Sequence, residues 1–113
     1  MKKALYPILL SILTLTSCDE IDIAKGTPSC IRQKTLALER ETPCDEGASV
    51  KEYSFQGKTV YVFGTGNCIA DGSAEVADDD CNTLGYLGGF GGNTTINGEP
   101  FANAELKRTI WKQ

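Results

Sequence analysis

Four cysteines, Cys30, Cys44, Cys68 and Cys81, set the tightest limit on how this chain of 113 residues folds. They stand 14, 24 and 13 residues apart, with no Cys-x-x-Cys pair among them. Zinc ligation and thioredoxin-type redox chemistry use closely spaced pairs, so that spacing disfavours both. In a small exported domain, four such cysteines read as two disulfides. The chain also holds no histidine, which removes Ser-His-Asp and Cys-His catalysis and every His-ligated metal centre.

Three connectivities are possible for four cysteines, and a hairpin helps to choose among them. Val50 to Phe55 and Thr59 to Phe63 are β-rich runs separated by Gln56-Gly57-Lys58. If Gln56-Gly57 or Gly57-Lys58 forms a two-residue turn, paired residue numbers sum to 113 or 115. Carried outward, that register brings Cys44 opposite position 69 or 71, close to Cys68. The expected bridges are therefore Cys44–Cys68, clamping the open end of the hairpin, and Cys30–Cys81.

The N-terminus supplies the export. Lys2 and Lys3 precede an apolar stretch from Ala4 to Leu15, too short for the ~20 residues of a membrane span but suited to a signal peptide. Leu15-Thr16-Ser17-Cys18 resembles a lipobox, in which the cysteine is acylated before cleavage. Residues 1–17 are thus read as a lipoprotein signal peptide, and removing them takes the net charge from −4 to −6 through the loss of Lys2 and Lys3. Residues 18–28 are read as the lipidated Cys18 and an acidic tether ending in Gly26-Thr27-Pro28. The Asp19-Glu20 pair resembles the acidic export tag of Bacteroidetes-type surface lipoproteins. The expected address is the bacterial cell envelope, with the outer membrane or cell surface favoured over the inner membrane. The acidic balance argues against nucleic acid as a partner.

Residues 29–113 form one domain on this reading. Ser29 to Glu41 is rich in helix formers, with Ser29 as the expected cap and Pro43 stopping the pattern. Val60 to Phe63 is apolar on both faces and suits a central strand. Its further partners are expected from Asn82 to Phe90 or Arg108 to Lys112. Asn97-Gly98 marks another turn, and Asn103 to Lys107 a short helical one. The expected class is α+β: one N-terminal helix packed on a three- to four-stranded antiparallel sheet, stapled by disulfides.

Asp78-Asp79-Asp80 is the densest acidic run. Asp78, Asp80 and Asn82 open like a calcium-binding loop, but the loop glycine falls at Thr83 and the closing glutamate at Gly89, so the motif fails. A solvated acidic loop is the better reading. Paired-carboxylate hydrolysis needs one acid in an apolar setting, and no acid here sits in an apolar run. Gly85 to Asn93 holds five glycines without a phosphate-loop pattern. Its Tyr86 and Phe90 are candidate partner contacts, and Trp111 a candidate core residue.

Several of these residues together resemble a family of small uncharacterised Bacteroidetes-type lipoprotein domains. They are Cys30-Ile31, Ala48 to Tyr53, Gly57 to Tyr61, Cys81 to Leu84, Gly88-Gly89-Phe90 and Ile110-Trp111. Relatives in that pattern carry an adjacent Cys-Cys after the second strand, whereas here Cys68 stands alone and Cys44 is additional. The resemblance implies compartment and fold, and no activity. The functional expectation is a lipid-anchored, non-enzymatic interaction module for a protein or glycan partner, needing no cofactor. The alternatives are a small inhibitor of a hydrolase and, after it, a carboxylate-dependent hydrolase.

Overall fold

The computed structural model describes residues 21–69 and 72–113. The signal peptide, Cys18 and the Asp19-Glu20 pair lie outside the described residues.

Helix α1 spans Ser29–Glu41, as the sequence predicts, but its start is made differently. Pro28 occupies the cap position with φ −56° and no side chain closes the first turn, so Ser29 lies one residue inside the helix. Proline's fixed φ sets the chain entering the helix, and its carbonyl accepts from the Arg32 N–H at 2.9 Å. At the other end Thr42 is extended, the conformation imposed by a following proline. Ile31 and Thr35, one turn apart, form the buried stripe. The Thr35 hydroxyl donates to the Ile31 carbonyl at 2.8 Å, which satisfies a polar group at full burial.

Seven strands follow: β1 Ser49–Phe55, β2 Lys58–Gly64, β3 Ser73–Asp78, β4 Thr83–Gly88, β5 Thr95–Ile96, β6 Glu99–Pro100 and β7 Glu105–Lys112. Five of them make one antiparallel sheet in the order β4-β3-β2-β1-β7, while β5 and β6 pair separately. The sheet is therefore wider than the three or four strands expected. The unforeseen member is β3, whose sequence SAEVAD holds a single strand-favouring residue, Val76. It pairs with β2 directly, which makes β2 the central strand. Both expected partners also join the sheet, β4 beside β3 and β7 beside β1. The helical turn expected at Asn103 to Lys107 comes earlier, at Phe101–Asn103, because β7 already begins at Glu105.

Gln56 and Gly57 turn the first hairpin with φ of 53° and 74°. Two left-handed residues match the twist of the flanking strands, and glycine takes the second position without penalty. The resulting register runs from Phe55↔Lys58 to Ser49↔Gly64. It leads outward to the disulfide Cys44–Cys68, and a second disulfide joins Cys30 on α1 to Cys81 in the β3–β4 turn.

Two cores sandwich the sheet. On one face Ile31 packs with Val50, Tyr61, Phe63, Ala77, Ile110 and Trp111. On the other, Phe55, Val60 and Val76 are covered by Ile96 of the small hairpin and flanked by Phe101, whose ring lies 5.0 Å from that of Phe55.

The described part of the tether is not a free linker. Ile23 is 8% exposed within the first core, with Ile21 and Ala24 packed against it. The Ala24 N–H donates to the Ile110 carbonyl at 2.9 Å, and Arg108 donates to the Lys25 carbonyl at 2.7 Å. Two isoleucines among the acidic residues give the segment enough apolar surface to dock, so the folded unit begins by residue 21 rather than 29.

Candidate functional site

Five strands about 4.8 Å apart span about 19 Å between their outer axes, and one helix is only about 10 Å across. A single helix therefore cannot cover this face. α1 rests over the middle of the sheet, and residues 21–25 cover the β7 flank. Among the described residues, the β3–β4 flank is left open beside the helix.

An open groove of about 360 Å³ lies there. Its helical wall is the stripe Lys34, Ala37, Leu38 and Glu41, a spacing that brings side chains to one face of a helix. Phe63 of β2 forms its floor, and Glu75 of β3 and Tyr86 of β4 stand opposite the helix. Glu75 and Tyr86 are direct cross-strand partners, so both project from the same face. The Lys34 ammonium lies 2.9 Å from Glu75 Oε1 and 5.4 Å from the centroid of the Phe63 ring. Glu75 Oε2 accepts from the Thr83 hydroxyl at 2.5 Å. One Glu75 oxygen is thus ion-paired with Lys34 and the other hydrogen-bonded to Thr83, so the side chain is tied into the fold on both sides.

Tyr86 is 53% exposed on the groove wall. Phe90 is 96% exposed on the turn that follows β4, beyond the pairing of Gly88 with Ser73. The two candidate contacts thus belong to one edge of the sheet, but only Tyr86 lines the groove. Asn93 ties down the turn between them. Its side-chain amide donates to the Tyr86 carbonyl at 2.6 Å and to the Thr95 carbonyl at 2.8 Å, and its backbone pairs with Gly88.

Asp78, Asp80 and Asn82 do come together, in a turn and not in a cation cage. Asp78 Oδ1 accepts from the backbone N–H groups of Asp80 at 3.0 Å and Asn82 at 2.8 Å, and Oδ2 accepts from the Asn82 amide at 3.1 Å. These bonds, that from the Asn82 backbone foremost, hold the Asp78 carboxyl below its ordinary pKa. Both oxygens already serve the β3–β4 connection. Among the described residues, no cluster of three cysteine or carboxylate side chains is placed to hold a metal ion.

The chain belongs to the family described as a domain of unknown function (DUF6970). The match covers residues 37–113, from within α1 onward. An uncharacterised domain family is what the cysteine, glycine and hairpin residues resemble, although the match begins after Cys30. No curated protein and no solved structure matches the chain. Within the DUF6970 domain fall Leu38, Glu41, Phe63, Glu75 and Tyr86 of the groove, together with Cys44–Cys68, while Lys34 and residues 21–25 precede the matched span.

Sequence reasoning reached Tyr86 but missed Lys34, Phe63 and Glu75 as its neighbours. The helical stripe from Lys34 to Glu41 was a usable signal. Glu75 was hidden because β3 has no strand-like sequence.

Proposed function

We propose that this DUF6970 domain is a non-enzymatic interaction module of the bacterial envelope, held by lipid on Cys18, that meets a protein or glycan partner on its open β3–β4 flank. The observation that carries the reading is the half-exposed Tyr86 on the wall of a groove that the described residues leave uncovered. Aromatic side chains lose little conformational freedom on binding and dominate contact energetics, so a tyrosine carried on a strand suits an anchor. The engaged carboxylate of Glu75 supports binding over hydrolysis. The Lys2-Lys3 start, the apolar stretch and the Leu15-to-Cys18 sequence support the anchor. Two acyl chains or more give stable attachment, since each buried methylene contributes ~0.8 kcal/mol.

A photo-reactive amino acid placed at position 86 or 90 in intact cells tests the surface. Cross-links from both positions are expected, with none from Lys51 on β1. Cross-linking at Lys51 alone overturns the assignment. The anchor is tested by Cys18→Ala, which is expected to abolish labelling by a fatty-acid analogue. Undiminished labelling rejects it.

A further inference from the structure

The chemistry of the groove narrows the partner, and the inference rests on the reading of this flank as a binding surface. Charge is the first constraint. Lys34 and Glu75 neutralise each other at 2.9 Å, and the stretch from Cys81 to Gly98, which holds β4, the turn after it and β5, carries no charged side chain. A strongly charged ligand finds no array of opposite charge here, and an anionic one also meets Glu41.

The edge of the sheet is the second constraint. An extended peptide binds by adding a strand to an open edge. On β4 the Tyr86 carbonyl already accepts from Asn93, and the Gly88 N–H and carbonyl are bonded to Asn93 at 2.8 and 3.2 Å. Strand addition beside Tyr86 is blocked. An amphipathic helix, in turn, needs a continuous apolar trough, whereas this groove alternates Phe63, Leu38 and Tyr86 with Glu41, Ser73 and the Lys34–Glu75 pair.

One half-exposed aromatic ring, hydroxyl and carboxylate groups around it, a single unpaired charge at Glu41 and an open shape suit a sugar ring. The π face of tyrosine carries partial negative charge and attracts the weakly positive C–H face of a pyranose. The surrounding polar groups exchange hydrogen bonds with its hydroxyls. At about 360 Å³ the groove lies at the small end of ligand sites, which run to ~300–1,000 Å³. We propose that it is a subsite for a neutral pyranose residue of a glycan, with the Tyr86 ring as the stacking platform and Glu41, Ser73 and the Lys34–Glu75 pair as hydrogen-bonding partners.

The test uses the oxidised domain on an array of neutral hexose and N-acetylhexosamine oligosaccharides with sulfated and sialylated counterparts, followed by titration of the bound species. Binding to a neutral oligosaccharide is expected. Tyr86→Ala is expected to weaken it by about tenfold or more, and Tyr86→Phe, which keeps the ring, by no more than about threefold. Circular dichroism of each variant checks that it is folded. An array bare of neutral glycans, a preference for the acidic ones, or unchanged binding by Tyr86→Ala overturns the proposal. If the array stays bare while position 86 cross-links to a protein in cells, the sugar assignment fails and the partner surface stands. If neither binding nor cross-linking occurs, both fall.

Discussion

The backbone N–H of Ala24 donates to the Ile110 carbonyl at 2.9 Å, on the side of β7 that faces away from β1. β7 is the outer strand of the sheet, and an exposed outer edge is a template for unwanted pairing. The residues around Ala24 occupy part of that edge, while Ile23 reaches into the core beside Ile110 and Trp111.

Removing the Ile23 side chain should therefore behave as a core truncation, although it sits in what reads as a linker. Ile23→Ala is expected to lower unfolding stability by about 2–3 kcal/mol. Urea unfolding of the domain measures the loss. A midpoint equal to that of the parent protein means that the segment does not contribute to the fold.

The two disulfides should both be strongly stabilising, with Cys30–Cys81 the larger. The bridged residues lie 51 positions apart there and 24 in Cys44–Cys68. Loop-closure entropy gives about 4 kcal/mol for the longer loop and about 3.5 kcal/mol for the shorter. Paired Cys→Ser variants, compared by urea midpoint, are expected to keep that order. Thiol titration of the oxidised domain is expected to find all four cysteines unreactive.

Gly66 shows how the shorter bridge constrains its surroundings. It has φ +124°, and a Cβ placed there would overlap the Cys44 Cβ and come within 2.8 Å of its sulfur. The bridge to Cys68 keeps Cys44 from moving away. Gly66→Ala is accordingly expected to destabilise by about 2 kcal/mol or more, beyond the ordinary effect of the substitution. In a background lacking the Cys44–Cys68 bridge the penalty is expected to shrink, because Cys44 can then yield.

What was legible in the sequence followed local rules. α1 announced itself by composition and by the proline after Thr42, and the first hairpin by its β-branched runs and Gly57. The hairpin register pointed to Cys44–Cys68, which left Cys30 and Cys81 for each other. β3 was illegible because Ser73, Ala74 and Glu75 have no preference for a strand. Val76 and Ala77 are buried on opposite faces only because β2 and β4 flank them. The groove inherited that blindness, since Glu75 meets Lys34 only through β3. The docked segment was masked by its charge: Asp22 and Lys25 look like a solvated linker, and Ile21 and Ile23 find their core across the whole length of the chain.

Asp78 should give the domain an acid-sensitive stability. Its carboxyl lies below the ordinary value of 3.8 in the folded protein, chiefly through the bond from the Asn82 backbone N–H. A group with a depressed folded pKa contributes stability that is fully present above its unfolded value and is lost as the pH falls through the folded one. Unfolding midpoints are thus expected to decline as the pH drops below about 4. Asp78→Asn is expected to shallow that decline, because the amide cannot gain a proton there. Identical acid limbs in the two proteins would contradict the assignment.

Phe90 and Phe63 should separate surface chemistry from folding on the same flank. Phe90 is 96% exposed, so Phe90→Ser removes almost no buried area and should shift stability by less than about 0.5 kcal/mol. Phe63 forms the floor of the groove and is buried in the first core, so Phe63→Ala should cost about 3–5 kcal/mol. Thermal and urea unfolding give both values. A marked loss of stability in Phe90→Ser would mean that its ring packs within the fold, and would withdraw it from the partner surface. An unchanged midpoint, combined with weaker cross-linking through position 86, would place Phe90 at the rim of the site that Tyr86 anchors.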